Sequence, residues 1–121
     1  MPIYVDIPSA VGLLQPARGT DLTDADATIQ PFTLQKSLFV LQNGILSTNR
    51  ALTFGITSLS NGQVTFILCL DTSANTYTIK NNAAGTLYTH QGSVTGPMWY
   101  EIFSSAGDWI ASTKQFAQPP F

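Results

Sequence analysis

Between Leu38 and Trp109 apolar positions alternate with Thr, Ser and other small polar residues, and the alternation breaks at Asn-Gly pairs or single Gly residues. A period of two is the pattern of a strand with one face buried. Ala51–Thr57 shows it most cleanly, with Leu52, Phe54 and Ile56 on one face and Thr53 and Thr57 on the other. Gln63–Leu70 is apolar on both faces in its second half, which predicts a strand at the centre of a sheet. Thr76–Lys80 alternates with Tyr77 and Ile79 inward. Ser37–Gln42 and Thr86–His90 are further strands, and Met98–Phe103 and Asp108–Thr113 form a hairpin through Ser104–Gly107. Asn43-Gly44 and Asn61-Gly62 are tight-turn sequences. Asp71–Asn75, Asn81–Gly85 and Gly92–Pro97 fall between strands as loops or turns. Strands repeating at roughly 8 to 12 residues predict an all-β fold, an antiparallel β-sandwich of jelly-roll-like type. No helical period long enough for a buried helix occurs after residue 31.

The two ends read differently from the body at 32–117. Residues 1–31 contain Pro2, Pro8, Pro16 and Pro31 and four of the seven acids, Asp6, Asp21, Asp24 and Asp26. Proline fixes φ and removes a donor, so neither a long helix nor a central strand is expected here. The segment reads as an extended N-terminal arm with two apolar pieces, Ile3–Ile7 and Ala10–Leu14. Ser9 could cap one short helical turn through Leu14. Ile3, Tyr4, Val5, Leu13 and Leu14 are the candidate partner-binding residues of this arm, because apolar side chains on an extended segment need a surface to cover. Residues 118–121 form a second extended tail, in which Pro119 and Pro120 place Phe121 as an apolar plug.

Composition narrows the function classes. Charged residues make up 10% of the 121-residue chain, against roughly 25% in ordinary soluble domains. This low charge fits a surface that is largely covered by partners. With 44% hydrophobic residues the chain is not intrinsically disordered. Arg18, Lys36, Arg50, Lys80 and Lys114 are scattered and net charge is −2, which speaks against a nucleic-acid partner. No apolar run is long enough to span a membrane, and the first residues lack the basic start of a secretory signal. The lone Cys69 allows no internal disulfide and suits synthesis in a reducing cytoplasm.

Candidate chemistry is sparse. His90 is the only histidine. With no Gly-x-Ser-x-Gly elbow and no second base, it reads as a surface or strand-end residue rather than a catalytic base. Cys69 lies in the most apolar strand and reads as a buried small hydrophobe. Asp21, Asp24 and Asp26 have oxygen-ligand spacing, but the Gly and Glu of an EF-hand loop are absent, so turn and cap roles are expected. Glu101 beside Trp99 and Tyr100 raises a sugar platform, yet two acids sharing a cleft are not in prospect. No Gly-rich phosphate loop occurs. The chain is expected to be a non-enzyme with no cofactor and no metal.

Four stretches in order carry a resemblance: Arg50-Ala51-Leu52-Thr53-Phe54, then Asn61-Gly62-Gln63-Val64-Thr65-Phe66, then Asn75-Thr76-Tyr77-Thr78-Ile79-Lys80, and last Gly107-Asp108-Trp109-Ile110. Together they resemble a β-module of tailed-bacteriophage virion proteins and cover about residues 37 to 113. The resemblance implies a capsid decoration, or cement, protein on the virion surface. It further implies the major capsid protein as partner and self-association as a homotrimer. A fibre-tip or receptor module that binds glycans through Trp99, Tyr100 and Trp109 is the alternative.

Overall fold

The computed structural model describes residues 16–31, 36–42, 44–55 and 62–120. Within them the strands are β1 (Ala17–Arg18), β2 (Ala27–Ile29), β3 (Ser37–Leu41), β4 (Arg50–Phe54), β5 (Val64–Cys69), β6 (Thr76–Lys80), β7 (Thr86–Gln91), β8 (Met98–Ser105) and β9 (Asp108–Phe116). A single helical turn, α1 (Gly92–Thr95), lies between β7 and β8. The fold is all-β. It has a five-stranded sheet in the order β1-β3-β5-β8-β9 and a four-stranded sheet in the order β2-β4-β6-β7.

The chain changes sheet at every step from β1 to β6. As a result β1, β3 and β5 pair in parallel in one sheet, and β2, β4 and β6 pair in parallel in the other. A parallel pair cannot be closed by a tight turn and needs a crossover. Here each crossover is itself a strand of the opposite sheet. After β6 the winding reverses: β7 runs antiparallel to β6, β8 to β5, and β9 to β8. Both sheets are therefore mixed, which corrects the expectation of a wholly antiparallel arrangement. Alternation along a strand reports which face is buried and carries no information on neighbour direction, so the parallel half was not visible in it.

Strand identity follows the periodicity closely. β6 coincides with the expected segment, and β5 lies between β3 and β8 as a central strand must. Residues 16–31, read as part of the arm, supply β1 and β2. Both stand at sheet edges, where proline-flanked strands are tolerated. Three carboxylates fasten this segment to the next coil. Asp21 accepts from Arg18 at 2.9 Å and from Gln42 at 3.3 Å. Asp24 accepts from Arg50 Nε at 2.8 Å and from the Ser47 amide at 3.1 Å. Asp26 accepts from the Ala51 amide at 2.9 Å. The Arg50 guanidinium beside Asp24, helped by Ser47, holds that carboxyl below its usual range. The expected helical turn at 9–14, Asn43, and residues 56–61 lie outside the described residues.

The two sheets share one core. Phe39, Leu41, Ile67, Cys69, Tyr100, Ile102 and Trp109 come from the five-stranded sheet, and Leu52, Phe54, Tyr77, Ile79 and Tyr88 from the four-stranded one. Trp109 is fully buried. Its ring meets Phe54 edge-on at 5.1 Å, and its indole N–H donates to the Gly55 carbonyl at 3.3 Å, joining the sheets. The β8–β9 hairpin turns through Ala106 (φ 53°) and Gly107 (φ 82°), the positive-φ pair of a type I′ turn that matches strand twist.

Removing the indole with Trp109→Ala is expected to cost about 3–5 kcal/mol in urea unfolding. The Tyr77 hydroxyl is buried without a hydrogen-bond partner. Tyr77→Phe is therefore expected to raise stability by about 1 kcal/mol, read as a higher urea midpoint at unchanged slope.

Candidate functional site

The two sheets differ sharply on the faces that point away from the core. On the four-stranded sheet, side chains alternating with the core set are Thr28, Ala51, Thr53, Thr78, Lys80 and Thr89. The register places Thr28 beside Thr53 and Thr53 beside Lys80, and Thr78 beside both Ala51 and Thr89. Threonine suits a strand and keeps a hydroxyl in water, so this is a solvated face. Two shallow grooves of about 290 and 320 Å³ flank β2. The first contains Asp26 among Ala and Thr and the second has no charged side chain, so neither joins an acid to a base.

The five-stranded sheet presents the opposite chemistry. Leu38 pairs with Phe66, and Val40 with Leu68. Val64 pairs with Phe103, Phe66 with Glu101, and Leu68 with Trp99. Ile110 continues the row beside Phe103. Val40 and Phe66 are 3% and 2% exposed, Leu38, Val64, Leu68, Trp99 and Phe103 are half-buried, and Ile110 is 38% exposed. The middle of this outer face is thus apolar apart from Glu101, with Arg18 beside Leu38 at the β1 edge and Ser105 at the end of β8. The signal lay in the sequence: Gln63–Leu70 is apolar on both faces because β5 is covered on both.

A second cluster lies inside one end of the fold. Asp71, just after β5, is fully buried. Its carboxylate accepts from the Leu46 amide at 2.8 Å and from Ser73 Oγ at 2.9 Å. His90 of β7 is also fully buried, with Nδ1 2.8 Å from the Tyr100 hydroxyl of β8 and Nε2 3.1 Å from the Asp71 carbonyl. Gly92 packs so closely on this loop that a β-carbon there would sit 1.7 Å from the Asp71 carbonyl oxygen. The expectation of a surface histidine is corrected: His90 does lie near a strand end, but Tyr100 and the 71–73 loop close over it. A lone histidine among polar neighbours gives no hint of that closure.

Cys69 is buried as expected, and desolvation pushes its thiol far up. Glu101 lies on the outer apolar face while Asp71 is internal and Asp108 caps the 82–83 turn by accepting from Asn82 and Ala83 amides. These acids do not converge. Asp21, Asp24 and Asp26 are divided among separate partners, and no group of three potential metal ligands occurs among the described residues. Among the described residues no helix is long and apolar enough to cross a membrane. Ile3, Tyr4, Val5, Leu13, Leu14 and Phe121 lie outside the described residues. Pro119 is exposed and Pro120 half-buried at the end of the described chain.

Compared with known proteins, the chain matches no family model, no curated protein and no solved structure.

Gly92→Ala forces a β-carbon into backbone that cannot yield like a side chain. The variant is expected to lose about 1–3 kcal/mol or more, measured as a fall in the urea midpoint relative to the wild type.

Proposed function

We propose that this chain is a structural virion protein that decorates and cements a bacteriophage capsid. The observation that carries the reading is the contrast between outer faces, one of threonines and one of Leu, Val, Phe and Trp. Val40 and Phe66 at the middle of the apolar face are already shielded within the chain, while Ile110 and the half-buried Leu38, Leu68, Trp99 and Phe103 leave apolar surface for a partner to cover. Low overall charge points the same way. The partners are the major capsid protein and other copies of this chain, and a homotrimer is the expected form. The N-terminal residues Ile3, Tyr4, Val5, Leu13 and Leu14 and the Pro119-Pro120-Phe121 tail supply further apolar contact. Binding the assembled shell but not its loose subunits stabilises the shell by mass action, and many copies on one lattice add up through avidity. No catalytic role is proposed. The fold in this reading is a β-sandwich, with parallel winding in place of a jelly roll's antiparallel order.

The glycan-binding alternative is weakened by burial. Tyr100 and Trp109 are 1% and 0% exposed, which leaves Trp99 alone of the three aromatics near the surface.

Light scattering on the purified protein is expected to give three times 13.0 kDa. Ile110→Lys should leave the stability of the isolated protein within about 0.5 kcal/mol while lowering the mass or the occupancy on capsids. Deleting residues 1–15 is expected to preserve the β-body and abolish capsid binding. Full occupancy by both variants would refute the assembly reading.

A further inference from the structure

The buried histidine is connected to the surface by hydroxyl groups. A carbonyl oxygen can only accept, so the 3.1 Å contact with Asp71 fixes the proton on His90 Nε2. Nδ1 then offers a lone pair and accepts from the Tyr100 hydroxyl at 2.8 Å. The Tyr100 hydroxyl is in turn hydrogen-bonded to the Thr95 side chain. Thr95 is exposed on α1, and its Oγ1 lies 3.3 Å from the Gln91 carbonyl and 3.1 Å from the Gly96 carbonyl.

Every donor in this chain has a partner in either direction. With His90 neutral, Thr95 donates to Tyr100 and Tyr100 donates to Nδ1. With His90 protonated, Nδ1–H donates to Tyr100, Tyr100 to Thr95, and Thr95 to one of the two carbonyls. The proton hops themselves leave both hydroxyls reversed, with no side-chain displacement. One proton enters at Thr95 Oγ1 from water, Thr95 passes its own to Tyr100, and Tyr100 passes its own to Nδ1, so one proton is added and no bond of the backbone is broken.

We propose that Thr95, Tyr100 and His90 form a surface-connected proton relay that makes this end of the fold acid-sensitive. Protonation leaves a cation between the sheets. The charged group facing it is Asp71, whose two carboxylate oxygens already serve Leu46 and Ser73. Tyr77 opposite it on β6, Tyr100 on β8 and Cys69 on β5 are all pushed up by burial and stay neutral in this range. The residues of α1 carry no charge, and Asp108 of β9 is engaged at the opposite turn with Asn82. The cation is therefore poorly compensated, and loosening of the 44–46, 71–73 and 92–96 segments lets water reach it.

The direction of the effect follows from linkage. Burial lowers the His90 pKa below its ordinary 6.5, against smaller opposing contributions from Asp71. Between the folded and unfolded values the unfolded chain holds more protons, so stability falls as pH drops through that window and levels off beneath it.

The full-length protein tests this by NMR and thermal melting. At pH 7.5 the imidazole nitrogens of His90 should report the Nε2–H form. Between pH 7 and 5 the wild-type Tm should drop by about 4 °C, with hydrogen exchange rising first at 44–46 and 92–96. His90→Gln should remove that drop. Thr95→Val should keep the drop but slow exchange of the imidazole proton with water at least about tenfold, and this variant decides the matter if His90→Gln does not fold. An Nδ1–H form, parallel Tm losses in wild type and His90→Gln, or unchanged proton exchange in Thr95→Val would each overturn the relay.

Discussion

Parallel strands cannot be joined by a hairpin, and this constraint shapes the molecule. The chain meets it by using the opposite sheet as the crossover, so β1 to β6 wind around a common interior and no covering helix is needed. Successive coils then depend on side-chain ties where a hairpin would have supplied its own closure. Asp21, Asp24 and Asp26 provide them for the first coil by bonding to Gln42, Arg50 and the Ala51 amide. At the other end the antiparallel β8–β9 hairpin brings Trp109 into the interior, where its ring and N–H reach Phe54 and Gly55 of the second sheet.

The same winding separates two outer surfaces of unlike chemistry. A sheet face is set by every second residue of several strands, so a small bias in each strand accumulates across the sheet. Thr28, Thr53, Thr78 and Thr89 align on one side. Leu38, Phe66, Val64 and Phe103 align on the other. No pocket, nucleophile or acid pair competes with this asymmetry as a functional feature among the described residues, and it is why the assembly reading is preferred to a glycan-binding one.

The interior polar cluster is a different kind of solution. Asp71 and His90 have no access to water, and each is made tolerable by specific partners: amide and hydroxyl donors for the carboxylate, a carbonyl and a phenol for the imidazole. Such a network orders the loops at one end of the fold. It also holds the one histidine of the chain, whereas Asp24 of the first coil is paired with Arg50 and kept below its usual range.

The sequence by itself determined the strands from residue 37 onward, the inward faces of β4 and β6 and the all-β class, because period-two alternation is a local record of burial. It marked β5 as central and Cys69 as buried on the same ground. Tertiary structure alone decided that β1, β3 and β5 run parallel, that residues 16–31 belong to the sheets, and that His90 is sealed beneath Tyr100. These depend on which distant strand becomes a neighbour and in which direction. That choice is made by the pairing of faces across tens of residues, and it leaves no trace in the order of apolar and polar positions along any one strand.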